Sequence, residues 1–191
     1  MKRKFLLLAA LAMTSSVTLA GTPAFNFIEA GYGTADIDDV DEVSPSGFAI
    51  GGSFLVGESV FVTASYASLG DDVFGTDIDL VTSSIGLGYR LSLTDSTDAY
   101  ASVSYEYVEA DIEGFGSEDD NGYGLTVGFR SRLTEQFELD GSIGYVDIAD
   151  ESETAVGISG HYYFTPNFAV GLSYSTTADV SITGVSARYA F

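Results

Sequence analysis

The stretch Tyr123–Tyr145 decides the fold, and it reads YGLTVGFRSRL, TEQ and FELDGSIGY in three parts. In both outer parts, apolar residues alternate with small or polar residues. This two-residue period is that of a β-strand, whose successive side chains point to opposite faces of a sheet. The three residues 134–136 between the two parts predict a tight connection. The sequence therefore predicts a β-hairpin.

The hairpin register also predicts which charges meet. Closing the turn places Arg132 opposite Glu138, and two positions further along it places Arg130 opposite Asp140. Both ion pairs then fall on the face of small and polar residues. The other face carries Tyr, Leu, Val, Phe and Ile, so the two faces of this hairpin must meet very different surroundings.

The same alternation recurs along the whole chain and predicts an all-β protein of ten strands. The ten segments are residues 24–33, 47–56, 60–68, 80–92, 98–108, 123–133, 137–145, 154–164, 168–175 and 180–191. After the N-terminal region the sequence shows no helical stripe and no run of eighteen apolar residues, which excludes a transmembrane helix. An eight-stranded alternative requires segments 154–164 and 168–175 to be loops, although both alternate.

The connections between these segments alternate in kind. Four are short, at residues 57–59, 93–97, 134–136 and 165–167. Between them lie acidic connections that we interpret as loops, at residues 34–46, 69–79, 109–120, 147–153 and 176–179. Strands of this length, with short turns at one end and longer loops at the other, are typical of transmembrane antiparallel up-and-down β-barrels. The apolar face then meets lipid, whereas in a soluble lipocalin-like barrel it would face inward.

The N-terminus has the features of a secretory signal peptide. Basic residues 2–4 precede a short apolar run over residues 5–13, and Thr18 and Ala20 occupy the small-residue positions of a cleavage site. We expect residues 1–20 to be removed during export by the general secretory route, leaving residues 21–191 as one barrel domain. The chain has no Cys, which excludes lipoprotein processing, disulfides and thiolate metal sites.

The charge of the remaining chain excludes nucleic acid as a partner. Without residues 2–4, the seven cations become four arginines with no lysine, so the net charge is 4 − 28 = −24. Nucleic-acid binding requires a cationic surface. The acidity does not indicate disorder, because 46% of residues are hydrophobic and the chain contains 13 Phe and 12 Tyr.

The two ends of the predicted barrel carry a family resemblance. The first strand contains FNFIEAGYG and the last ends ITGVSARYAF. This pattern resembles small outer-membrane β-barrel proteins of Gram-negative bacteria, the OmpA/OmpX-like superfamily, and its short porin-like members. The resemblance implies an outer-membrane location among lipid and lipopolysaccharide. It also implies a C-terminal signal for the barrel-assembly machinery, carried here by Ala187, Tyr189 and Phe191.

The lumenal face of the predicted barrel collects most of the polar residues that could have a function. Closure of the barrel makes Glu29 and Arg188 neighbours, and the register of the fourth and fifth strands places Arg90 opposite Tyr100. The predicted lumenal residues are Glu29, Arg90, Tyr100, Glu106, Arg130, Arg132, Glu138, Asp140, His161 and Arg188. Their side chains would either fill a narrow barrel or form a selectivity constriction.

The remaining motifs favour neither an enzyme nor a cofactor. The single His161 lies near the periplasmic end of its strand, and the sequence contains no nucleophile elbow, phosphate-binding loop or zinc-ligand set. The acidic residues Asp36, Asp38, Asp71 and Asp72 are weak candidates for divalent cations, because their spacing is not that of an EF-hand. We expect a structural or surface-interaction protein with acidic extracellular loops, or alternatively a narrow, cation-preferring porin-like channel.

Overall fold

Ten β-strands form the molecule, which confirms the predicted count and excludes the eight-stranded alternative. The computed structural model describes residues 22–23, 25–37, 43–73, 76–114, 116–149 and 151–191. The strands are β1 Phe27–Ile37, β2 Ser46–Val56, β3 Val60–Val73, β4 Thr76–Thr94, β5 Thr97–Ile112, β6 Gly116–Arg132, β7 Phe137–Ile148, β8 Glu151–Tyr163, β9 Phe168–Thr176 and β10 Val180–Ala190. No helix within these ranges is long and apolar enough to cross a membrane. The predicted signal peptide and Asp38 lie outside the described residues.

The strands close into a barrel in which each strand is antiparallel to its two neighbours. Strand β1 pairs with β10 and brings Glu29 directly opposite Arg188. The hairpin of β6 and β7 has the register predicted from the sequence, with Arg130 opposite Asp140. We call the end with residue 191 the periplasmic end, as the family resemblance implies, and the opposite end the extracellular end.

The two faces of the barrel wall are also as predicted. On β6, Leu125, Val127 and Phe129 point outward and are exposed, whereas Gly128 and Arg130 point inward and are buried. The same division holds around the barrel, with small, polar and charged residues inside. An exposed apolar wall with charges inside suits a lipid environment, because a charge on that wall would cost about 2–4 kcal/mol at the membrane centre.

Aromatic residues mark where the wall meets the membrane surfaces. Near the extracellular end, tyrosines point outward from six strands: Tyr32, Tyr66, Tyr105, Tyr123, Tyr145 and Tyr174. Near the periplasmic end lie Tyr89, Phe129, Phe164, Phe168, Tyr189 and Phe191. From Tyr123 on β6 to Leu133, which directly follows that strand, the ten residue-to-residue steps span about 33 Å. With the usual strand tilt this corresponds to about 25 Å, the height of the lipid-facing band in such barrels.

Most of the predicted acidic loops are wrong, because these residues continue the strands. Strand β3 extends to Val73 and β4 begins at Thr76, and β5 and β6 remain paired as far as Ile112 opposite Gly116. The physical reason is that the alternation of residues continues beyond the outward-facing tyrosines near the extracellular end. Apolar residues such as Leu80 and Val108 occupy inward positions, and most of the acidic residues occupy outward ones. Strands β3–β6 therefore form a sheet that extends beyond the membrane band.

The outward face of this extension, which we call the acidic sheet face, consists of Asp72, Asp77, Asp79, Glu109, Asp111 and Asp119. Cross-strand pairing places these carboxylates directly opposite one another, with Asp79 opposite Asp111 as one example. Directly opposed like charges destabilise a sheet. The acidic sheet face is therefore held in place by the apolar residues on its other side.

Candidate functional site: the lumen

A group of ion pairs crosses the lumen at the periplasmic end, and we call it the basal network. Four arginines and four carboxylates form its described salt bridges: Arg90, Arg130, Arg132 and Arg188 with Glu29, Asp98, Glu138 and Asp140. They belong to strands on all sides of the barrel, because inward positions near the ends of β1, β4, β5, β6, β7 and β10 converge there. The formal charges of the eight side chains balance.

Glu138 is the centre of the basal network. Its carboxylate lies 3.3 Å from an Arg188 guanidinium nitrogen, 3.7 Å from one of Arg132 and 4.0 Å from Nε of Arg130. Arg130 also contacts Asp140 at 2.8 Å. Glu138 is fully buried. This single carboxylate therefore lies among three guanidinium groups at a site that water does not reach.

The closing seam of the barrel contributes a second set of contacts. Arg188 donates from Nε to Glu29, and Nε2 of His161 lies 3.3 Å from the same Glu29 carboxylate. On the other side of the lumen, Arg90 contacts Asp98 at 2.9 Å, and the Tyr100 hydroxyl donates to Asp140 at 2.9 Å. His161 thus joins a structural ion cluster and lies far from the extracellular rim.

Every arginine of the basal network also lies over an aromatic ring. The ring of Phe25 is 5.2 Å from the guanidinium carbon of Arg90 and 4.8 Å from that of Arg130. Arg132 lies 3.9 Å from the Tyr163 ring, and Arg188 lies 4.6 Å from the Phe27 ring. Such contacts stabilise a cation that has been removed from water.

The residues before β1 fill the periplasmic mouth, which the sequence did not predict. We expected residue 24 to begin the first strand, but β1 begins at Phe27. Phe25 instead lies inside the barrel, 1% exposed, and packs against Phe61 at 4.7 Å between ring centres. The Pro23 carbonyl accepts a hydrogen bond from Arg90. The residues that precede β1 therefore contribute side-chain and backbone contacts inside the barrel, next to the basal network.

Two glycines make room for the rings that the network requires. A Cβ atom at Gly128 would lie 2.5 Å from the Tyr100 hydroxyl, and one at Gly88 would lie 2.1 Å from the Phe61 ring. Both distances are far inside van der Waals contact. The small residues of the lumenal face are therefore the spaces into which the aromatic side chains pack.

The extracellular end is closed by a different kind of cluster, which we call the outer seal. It consists of Ala35, Leu69, Leu80, Val108, Val146, Ile148 and Val180, all buried. These residues come from six strands on different sides of the barrel, so their side chains meet across the lumen. Ile37, Ala110, Ala149 and Ile182 pack against them.

Between the basal network and the outer seal, the lumenal face carries small and hydroxyl-bearing residues. Examples are Gly31, Gly51, Ser65, Ser84, Ser102, Thr126, Gly144, Gly157 and Ser173. Glu106 lies in this region and is 3% exposed. Its described contact is a hydrogen bond from the Ser104 hydroxyl, so it does not join the basal network with which the sequence analysis grouped it.

The structure thus brings nine of the ten predicted lumenal residues together and separates Glu106 from them. The sequence analysis missed Asp98, Phe25 and Tyr163. Asp98 shares its strand and its parity with Tyr100, so the alternation contained the signal that places it in the lumen. Tyr163 has the parity of His161, which is again lumenal. Phe25 has the parity of Glu29, which is lumenal as well, but nothing in the pattern showed that β1 would begin only at Phe27.

Most of the remaining predicted residues lie on the outside of the barrel, whereas Asp71 has the inward parity of Leu69 on β3. Asp36 is exposed on β1, and Asp71 accepts backbone hydrogen bonds from Ser44 and Asp72. Within the described ranges, no group of three or more His, Cys, Asp or Glu is arranged to hold a metal ion. Ala187, Tyr189 and Phe191, the residues of the expected assembly signal, point outward at the periplasmic end, where Tyr189 packs against Phe168.

Comparison with known sequences identifies the class of barrel. Residues 5–154 match the sequence model of a family described as outer membrane protein beta-barrel domain. No curated protein matches the chain.

Solved structures of other barrels have the same fold. The NanC porin is 6% identical, with a TM-score of 0.55, and the match covers 86% of this chain and 100% of that one. The KdgM porin in complex with disordered oligogalacturonate is 11% identical, with a TM-score of 0.51, covering 85% and 99%. Ail, the attachment invasion locus protein of Yersinia pestis, is 16% identical, with a TM-score of 0.49, covering 86% and 97%. At these identities the likeness concerns the fold alone.

Proposed function

The chain belongs to the family of outer-membrane protein β-barrel domains, and on that premise we propose that it is a non-conducting surface protein of the outer membrane. In this role the barrel is an anchor, and the paired extensions of β3–β6 are the part that meets partners outside the cell.

The two closures of the lumen support this proposal. The basal network and the outer seal lie at opposite ends of the lumen, and all their side chains except that of Arg90, which is partly buried, are buried. A solute would have to separate buried ion pairs at one end and packed apolar side chains at the other. Breaking a buried ion pair typically costs about 3–5 kcal/mol, so a path that requires both changes would rarely open.

Conductance of refolded protein in planar lipid bilayers tests the proposal. We expect no steps above background from the wild-type chain, with a conducting porin as the positive control in the same bilayer. Removing one closure, as in Arg130→Ala/Asp140→Ala, should leave the protein silent because the outer seal remains. Cation-selective steps from the wild type would instead support the narrow channel that the sequence raised as the alternative.

The acidic sheet face supports the surface role. Beyond residue 4 the sequence has only four cations, all of them arginines of the basal network. The acidic sheet face, where carboxylates lie directly opposite one another, therefore has an excess of negative charge that requires counter-ions. We infer that divalent cations fill this need and are shared with lipopolysaccharide phosphates, since carboxylate oxygens are suitable ligands for such ions.

Binding of the refolded protein to lipopolysaccharide vesicles would test this part separately. Chelation with EDTA should release the protein only if divalent cations form the bridge. The variant Asp79→Asn/Asp111→Asn should need more Mg²⁺ than the wild type for the same binding. Equal Mg²⁺ dependence of the two proteins would contradict a bridge at this face.

A further inference from the structure

Of the five carboxylates that are buried within the described residues, Glu106 alone takes no part in the basal network. The arginines there are matched by Glu29, Asp98, Glu138 and Asp140. Glu106 lies six residues above Tyr100 on β5, about 20 Å along the strand. It forms none of the described salt bridges, although it is 3% exposed.

A buried carboxylate in this position requires compensation. Removing an ionised carboxylate from water costs several kcal/mol unless a counter-charge and hydrogen bonds replace the lost hydration. The Ser104 hydroxyl supplies one hydrogen bond. Val108, two residues above on the same face, belongs to the apolar outer seal, so the side facing the extracellular end offers no charge.

The wall around Glu106 is lined by hydroxyl oxygens. Ser84 lies directly opposite Glu106 on β4, and its hydroxyl is 2.8 Å from that of Ser65 on β3. On β6, a Cβ atom at Gly124 would lie 2.8 Å from the Glu106 carboxylate, so the carboxylate rests on a bare stretch of backbone. The neighbours of Glu106 in register are therefore a serine on β4 and a glycine, Gly122, on β6, and the hydrogen bond described for its carboxylate comes from a hydroxyl group.

We propose that Glu106, Ser104 and the Ser65–Ser84 hydroxyl pair form a lumenal binding site for one alkali-metal cation. Carboxylate and hydroxyl oxygens are hard ligands, which suit a hard cation. A single positive charge neutralises the single carboxylate, whereas a divalent ion would leave excess charge in a lumen whose other formal charges balance. The cation enters as the barrel closes around it during folding, and the outer seal and basal network then retain it.

The test is to refold the protein with Na⁺, K⁺ or choline as the only cation at one ionic strength. Choline is too large for the site and cannot be coordinated by the oxygens. We expect a higher urea midpoint for unfolding in Na⁺ or K⁺ than in choline, because a ligand that binds only the folded state stabilises it. The midpoint should rise with the logarithm of the alkali-ion concentration.

Matched variants locate the effect. Glu106→Gln keeps the shape of the side chain and removes its charge, so its midpoint should be the same in all three salts. Glu118→Gln makes the same change at an exposed position of β6 and should retain the wild-type dependence. Ser84→Ala should weaken the apparent affinity about tenfold, corresponding to the loss of about 1.4 kcal/mol of binding free energy.

Two results would overturn the proposal. One is a wild-type midpoint that is equal in all three salts, which would mean that Glu106 is neutralised by a proton. The other is a cation dependence that persists in Glu106→Gln. Should Glu106→Gln fail to fold, crystals of the wild type grown with Tl⁺ decide the matter: an anomalous peak beside Glu106 is expected, and its absence would refute the site.

Discussion

The two ends of this barrel accommodate charged side chains in opposite ways. At the periplasmic end, seven of the eight charged side chains are buried and Arg90 is partly buried, and each arginine has both a carboxylate and an aromatic ring beside it. At the extracellular end, the interior is apolar, and the carboxylates stand outside on the acidic sheet face, opposite one another. Charge lies beside opposite charge and is buried at one end, whereas at the other end it lies opposite like charge and is exposed.

This difference predicts that one kind of substitution has opposite effects at the two ends. Neutralising a carboxylate of the basal network removes the partner of a buried cation, so it should destabilise the fold. Neutralising one on the acidic sheet face removes repulsion, so it should stabilise it. The stability of the extracellular end should instead depend on the volume of its apolar side chains.

The largest effect is expected for Glu138→Ala. Three guanidinium groups lie within 4.0 Å of this carboxylate, and without it they would repel one another in a buried site. Breaking such a buried ion cluster should cost about 3–5 kcal/mol. Urea unfolding of the protein refolded into lipid vesicles, followed by circular dichroism, measures the free energy of unfolding.

The exposed Glu118 provides the control for Glu138. Because Glu118→Ala changes a solvated side chain, it should shift the free energy of unfolding by no more than about 0.5 kcal/mol. Equal losses from the two variants would mean that the basal network contributes no more to stability than an exposed charge does.

Leu80→Ala should be the next largest change and tests the outer seal. Leu80 is buried in that cluster, and truncating a buried leucine costs about 2–5 kcal/mol because a cavity remains. Leu80→Met conserves the volume and should cost less than about 1.5 kcal/mol. Similar losses for Ala and Met would argue against tight packing at this end.

The separation of the two ends can be measured in the double variant Glu138→Ala/Leu80→Ala. The two side chains share no contact, so their losses should add within about 0.5 kcal/mol. A larger coupling energy would mean that the basal network and the outer seal form one cooperative unit.

Tyr100→Phe tests a single hydrogen bond within the basal network. It removes the hydroxyl that donates to Asp140 at 2.9 Å and keeps the ring under Arg130. Leaving the buried carboxylate with one donor fewer should cost about 1–2 kcal/mol. Tyr105→Phe, an outward-facing tyrosine on the same strand, is the matched control. If both variants lost the same free energy of unfolding, the hydrogen bond from Tyr100 to Asp140 would contribute no more to stability than an exposed hydroxyl group does.

The alternation of residues predicted most of the fold, because a slip of one residue between paired strands would turn every apolar side chain inward, and the short turns decide among the registers that remain. That is why the pairs Arg130–Asp140 and Glu29–Arg188 could be assigned before the structure was known. The same reasoning could have placed Asp98 in the lumen. The alternation placed Glu106 with the other charged residues, because parity predicts the face on which a side chain lies but not which charged groups form ion pairs.

Two features could not be predicted from alternation, each for a physical reason. The position of Phe25 before the start of β1 depends on a contact with Phe61, which is distant in sequence. The extensions of β3–β6 were interpreted as loops because their residues are strongly acidic. Acidic composition disfavours a strand only where both faces are solvated, and here Leu80 and Val108 bury the inner face and hold the outer one in register.

The smallest effect, and the one of opposite sign, is expected for Asp79→Asn. Asp79 lies directly opposite Asp111 on the acidic sheet face, and the amide removes one of two like charges while keeping the shape of the side chain. The free energy of unfolding should rise by less than about 1 kcal/mol at low salt. Added NaCl should abolish the gain, because salt screens exposed charges, and divalent cations should abolish it at lower concentration if they bridge this face. Unfolding curves with and without NaCl and Mg²⁺ measure this. A lower free energy of unfolding for Asp79→Asn at low salt would show that the charge of Asp79 stabilises the fold, as the carboxylates of the basal network do. The two ends would then not differ in the way described.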